Sequence, residues 1–167
     1  HPAGAIEPGH MAAFETAAGT LRRYGNGVTL SFRVDTPQPC FAPANVLSGV
    51  TRPHRFTNLW RSDPGEPLPQ WLELEWSAPQ TIRQIELTFP GQLLREYHAY
   101  PPFYRDPQCA RDYAVFACIN DAWQEILQVT GNYQRQRKHH LERAFVTSKM
   151  RVVVYATNGD PSAAVYE

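Results

Sequence analysis

The sequence predicts an all-β antiparallel sandwich of about eight short strands. Three observations lead there. Around residues 70–89 apolar and polar side chains alternate with a period of two: Leu72, Leu74 and Trp76 face one way and Glu73 and Glu75 the other, and Ile85, Leu87 and Phe89 repeat the apolar face. Turn residues separate the remaining apolar runs at short, regular intervals. No stretch of about ten or more residues has a convincing helical period. One apolar face and one wet face per strand is the pattern of an antiparallel sandwich.

Residues 1–11 have no periodicity, and their Gly-His-Met ending reads as an expression-tag remnant, so the domain is placed at 12–167. Residues 11–22 are rich in Ala, but Gly19 counts against a helix there. Strands are expected at 27–35, 70–76, 81–89, 112–119, 122–130, 136–143 and 149–156, with a last one from Ala164. A short Pro-containing turn would join the second and third. Asn120 and Asp121 mark a hairpin tip, and Asn158, Gly159, Asp160 and Pro161 a turn before the last strand.

The chain has 167 residues, 43% of them hydrophobic and 12% aromatic, which is ample for one folded core. Its 16 basic and 16 acidic residues cancel, so no overall field gathers nucleic acid or an anionic membrane. No apolar run approaches the ~20 residues that span a bilayer, and the chain reads as soluble. Cys40, Cys109 and Cys118 cannot all pair, and none sits in a metal-binding spacing. A Cys40–Cys109 bridge stays open, and Cys118, in the apolar run 113–119, is expected to fill core volume.

Three connections stand out by composition: 42–69, 90–107 and 131–137. They are rich in Tyr, His, Arg and Trp, which stack on sugar rings or hold hydroxyls and carboxylates by directed hydrogen bonds. The candidate ligand-binding residues are therefore His54, Trp60, Arg61, Tyr97, His98, Tyr100, Tyr104, Asn132 and Arg135. Of the four tryptophans, Trp76 shares the inward register and Trp71 and Trp123 lie on strands; only Trp60, inside a connection, is given a functional role. The carboxyls of Glu73 and Glu75 project about 6 to 7 Å apart, within the ~5 to 9.5 Å of glycosidase pairs. They lie side by side on the wet face of an ordinary strand, without the pocket such chemistry needs. No Ser/His/Asp order or nucleophile elbow is present, and the chain is read as non-catalytic. The basic segment from Arg135 to His140 is divided between two strand faces, and His139 and His140 face opposite sides.

The run Asn45 to Thr51, then Asn58 to Asp63 with its Trp60 and Ser62, then Gln70 to Glu75 and the pair Ile82 and Ile85, resembles the discoidin or coagulation-factor type C domains. The stretch from Met150 to Glu167 is similar to the closing hairpin of that group, and the resemblance covers about 44–167. It implies a galactose-binding-like jelly-roll β-sandwich acting as an accessory module. More narrowly, Asp63 to Leu74, Cys109 to Tyr113, Gly131 to Arg135 and Ala156 to Ser162 resemble the C-terminal domain of some bacterial FAD-dependent oxidoreductases. That likeness implies an appendage, because the chain lacks the Gly-x-Gly-x-x-Gly turn of a dinucleotide site. The implied partner is a carbohydrate or, alternatively, the parent enzyme on which the domain docks. The resemblance also implies a structural calcium at Ser48, Asn58 and Glu167, although Ser48 stands where that pattern carries a carboxylate. No other cofactor is expected.

Overall fold

The computed structural model describes residues 40–54, 56–91, 93 and 105–167; the strand expected at 27–35 and the tag-like segment 1–11 lie outside them. A 3-10 turn at Pro43–Leu47 is followed by strands β1 (Trp60–Arg61), β2 (Gln70–Thr88), β3 (Ala110–Ile119), β4 (Ala122–Val129), β5 (Gln136–Thr157) and β6 (Ala164–Val165). All pairings among the described residues are antiparallel, in a four-stranded sheet ordered β2-β5-β3-β4 and a two-stranded sheet of β1 and β6. None of the helical residues described forms a segment long and apolar enough to cross a membrane.

Two pairs of expected strands are single strands. β2 runs unbroken through the expected turn because the ladder absorbs it as an irregularity. β2 advances from Glu75 to Gln80 while β5 advances only from Lys149 to Thr147. Pro79 falls in that surplus, where its missing N–H leaves no ladder bond unmade. Next, β5 bulges instead: β2 goes from Ile82 to Gln84 while β5 covers Phe145 to His140. Residues 141–148 contain no Gly, Pro or Asn, so nothing local stops β5 where a break was expected.

The bulges make a corner. Below it, 70–75 and 149–157 pair within the four-stranded sheet; above it, 80–88 and 136–147 continue as a ribbon that crosses the inner faces of β3 and β4. The contacts across the resulting sandwich show this. The Tyr113 ring of β3 lies 5.1 Å from that of Phe89, its hydroxyl is 3.0 Å from His139 Nε2, and Ile126 and Leu127 of β4 face Leu141 and Phe145 across a hollow. The end of the ribbon meets the tail of the chain through Thr88 N–H to the Glu167 carbonyl and Tyr166 N–H to the Thr88 carbonyl, both 2.7 Å. Thr147 pins the corner, its hydroxyl 2.7 Å from the Cys118 carbonyl while it accepts the Lys149 N–H.

Between the layers Phe89, Cys109, Tyr113, Val115, Val154 and Val165 are fully buried. Trp76 packs on this core from its edge, half-buried, along an apolar groove of about 420 Å³ shared with Leu72, Leu74, Ile82 and Leu87. Cys118 is half-buried on the outer face, paired opposite Trp123, rather than in the core; its run is apolar at both parities and so carried no face signal. None of the three cysteines forms a disulfide. The hairpin tip is as expected: Asn120 and Asp121 both take positive φ, 51° and 61°, the type I′ geometry whose twist matches the flanking strands.

His139 carries a pH dependence. Burial first, and Arg137 second, push its pKa below the ordinary value. The unfolded chain therefore binds the proton more readily, and stability should be complete above about pH 6.5 and fall on acidification through the lower folded value. Urea unfolding between pH 7.5 and pH 5.5 should show a steeper loss in the native chain than in His139→Phe; equal slopes would refute the assignment.

Candidate functional site

Three of the nine residues expected to bind ligand are buried or bonded within the chain. Trp60 is 6% exposed because β1, a two-residue strand inside the expected loop, pairs Trp60 with Val165 and Arg61 with Ala164. Arg61 donates from Nε to Ser162 Oγ at 2.6 Å and from Nη2 to both oxygens of Asp160 at 2.8 and 2.7 Å. Ser162 donates its hydroxyl and its N–H to Asp160 Oδ1 at 2.7 and 2.9 Å. Burial alone would raise the Asp160 carboxyl, but the Ser162 hydrogen bonds and Arg61 outweigh it and hold the pKa below the ordinary value.

Asn132 is buried at 2% exposure with its amide fully committed. Nδ2 donates to the Ala110 carbonyl at 2.7 Å and the Gln134 carbonyl at 3.2 Å, while Oδ1 accepts from Gln134 N–H at 3.1 Å and Arg137 Nη1 at 3.0 Å. Next to it, burial pushes the Cys109 thiol up to about 12, which makes it an inert packing group. Trp60, Arg61 and Asn132, expected as ligand contacts, are thus engaged within the chain itself. Arg135 lies with its guanidinium carbon 5.6 Å from the Tyr166 ring centroid, its Nε and Nη2 buried without a hydrogen-bond partner. His54 is exposed and edge-on to Phe56 at 4.9 Å. Tyr97, His98, Tyr100 and Tyr104 lie outside the described residues.

The structure instead assembles an aromatic surface on the outer face of the four-stranded sheet. Trp71, 52% exposed, and Tyr155, 42% exposed, stand there with half-buried Phe116, Trp123 and Val153. In their midst Arg151 is gripped from both sides, its guanidinium carbon 4.3 Å from the Trp123 ring centroid and 5.3 Å from that of Trp71. Glu73, its register partner, accepts from Arg151 Nη2 at 2.8 Å and Nε at 3.2 Å. Lys149 pairs with Glu75 at 3.1 Å one row along. The two glutamates that matched a glycosidase spacing therefore belong to cross-strand ion pairs that set register. Two indoles held on either side of a fixed guanidinium offer apolar ring faces level with charged hydrogen-bonding groups. The signal was in the sequence: the alternation that turns Leu72 inward turns Trp71 outward.

No protein-family model matches the chain, and no curated protein matches it. Solved structures do. The family 32 carbohydrate-binding module of Streptococcus pneumoniae EndoD superposes with a TM-score of 0.61 at 15% identity, over 80% of this chain and 86% of that one. The family 32 module of C. perfringens NanJ, solved in complex with galactose, gives 0.61 at 11% over 80% and 86%. Chitosan-binding module 1 of a Paenibacillus sp. IK-5 chitosanase/glucanase gives 0.59 at 15% over 78% and 84%. The chain has the galactose-binding-like β-sandwich fold. At these identities the likeness is one of fold, and it bears out the architecture read from residues 44–167.

Within this galactose-binding-like sandwich, two of the side chains to which the resemblance assigned calcium, Ser48 and Asn58, make hydrogen bonds to the loop's own backbone. Calcium takes six to eight oxygens including carboxylates. Ser48 Oγ accepts the Val50 N–H at 3.3 Å, and the Asn58 amide turns its nitrogen, not its oxygen, toward the carbonyls of Val50 and Arg52, at 2.5 and 2.8 Å. Glu167 is exposed. Among the described residues no three His, Cys, Asp or Glu side chains come together as metal ligands.

Proposed function

We propose that this chain is a non-catalytic accessory module that binds carbohydrate on the outer face of its four-stranded sheet. The observation that carries the reading is the trio Trp71, Arg151 and Trp123: two indoles, one of them half exposed, held in fixed orientation on a fold shared with sugar-binding modules. An exposed indole gives the C–H face of a pyranose a rigid stacking surface at little entropic cost, and Arg151, Glu73 and Lys149 stand level with it to meet hydroxyls. The surface is flat, so it suits the side of an extended glycan better than a buried terminal sugar.

The breadth of the same face favours a second reading, docking on the catalytic domain of a parent enzyme, for which the resemblance names an FAD-dependent oxidoreductase. Trp71, Phe116, Tyr155 and Trp123 would then be buried anchors. A glycan array probed with the purified chain separates the two, followed by titration of the best hit while tryptophan fluorescence is recorded. Binding with a change in indole emission is expected, since Trp71 is open to solvent. A blank array would turn the assignment to docking.

A further inference from the structure

We propose that the side-chain amide of Asn58 takes the place of a bound cation in this loop, so that the chain folds without calcium. Between Cys40 and Trp60 the backbone pairs with itself locally, in a 3-10 turn whose Asn45 and Ser48 N–H groups donate to the Ala42 and Asn45 carbonyls, and the chain then turns at Gly49 with φ 69°, leaving further carbonyls turned inward. Carbonyl groups turned inward by such a loop need a positive partner, whether a metal ion or N–H donors. Here Asn58 donates both its amide hydrogens, to the carbonyls of Val50 and Arg52. Asn45 in the 3-10 turn does the same, to the carbonyls of Cys40 at 2.7 Å and Leu59 at 2.9 Å. Two neutral amides thus satisfy four carbonyl oxygens.

The charge balance agrees with the geometry. A divalent cation in a folded loop calls for carboxylates, whereas an amide calls for none. Position 48, where the resembled pattern carries a carboxylate, is Ser, and Ser48 Oγ accepts the Val50 N–H. Asn58 is 1% exposed, and its Oδ1 is buried without a hydrogen-bond partner. The side chain accepts that loss to keep its nitrogen on the two carbonyls. A carboxylate at 58 would instead bring a third oxygen against Val50 and Arg52, an arrangement that repels itself unless a cation lies between.

The test is thermal melting of the whole chain and of Asn58→Asp and Asn58→Ala, each in EDTA and in millimolar calcium, with the side-chain amide of Asn58 followed by nuclear magnetic resonance. The native chain should melt at the same temperature in both buffers, and its Asn58 amide protons should exchange slowly and stay unmoved as calcium is added. Asn58→Asp should melt lower in EDTA and recover in calcium; Asn58→Ala should melt lower in both. A native chain whose melting point falls on chelation, or whose Asn58 resonances shift with calcium, would overturn the proposal. Should neither variant fold, the native measurements still decide it, and they are independent of whether any sugar binds.

Discussion

Trp71→Ala should raise the dissociation constant for a bound glycan by about ten- to a hundred-fold, the loss of roughly 1.5 to 3 kcal/mol of apolar contact. It should leave the fold intact. The Trp71 side chain is half exposed, and what it gives the folded chain is mainly its ring contact with Arg151, about 0.5 to 1 kcal/mol at such a site. Trp123→Ala should also weaken binding, because it removes the other indole and frees Arg151 from its closer ring. Isothermal titration of the native chain and both variants, with denaturation curves alongside, reads the two quantities apart. Native affinity in both variants would discard the outer face as the sugar site.

Asp160→Ala should lower stability by about 3 to 5 kcal/mol, because it leaves the mostly buried Arg61 guanidinium without its counter-charge. In a chain of this size that corresponds to a melting point lower by about 10 °C. The same carboxylate gives the chain an acid limb. Its folded pKa lies below the unfolded value, so its stabilising effect is complete above about pH 4 and is lost as pH falls through the lower folded value. Urea titrations from pH 6 to pH 3 should therefore show a shallower acid loss in Asp160→Ala than in the native chain. A variant within about 1 kcal/mol of the native chain at pH 7 would show that Ser162 and solvent carry Arg61 unaided.

Local rules carried most of the architecture. The tip at Asn120 and Asp121 was legible because two residues at positive φ demand short polar side chains, and β3 and β4 because each run is bounded by its own turn signals. The continuity of β2 and β5 was not, since a bulge depends on how one strand's length compares with its partner's some seventy residues away. The burial of Trp60 and Asn132 was hidden for a related reason. Trp60 looked like loop because a two-residue strand has no period, and the partner that buries it, Val165, lies at the other end of the described chain. Asn132 looked available because nothing local shows that Ala110, Gln134 and Arg137 converge on its amide. Alternation alone turns Trp71 outward, on a strand position whose neighbours Leu72 and Leu74 serve the core. The outer face of a sheet belongs to structure and to function.

The corner in the β2–β5 ribbon ties the two layers together covalently. In a sandwich whose sheets share no strand, one sheet can loosen while its partner stays paired. Here two strands of the first layer, β2 and β5, cross to build the second, so loosening either layer strains the corner that Thr147 pins. Partial opening should therefore be costly, and the chain is expected to lose its structure in one concerted step. For a chain that presents aromatic rings on the outer face of one layer, this means that packing on the far side of the molecule keeps those rings level.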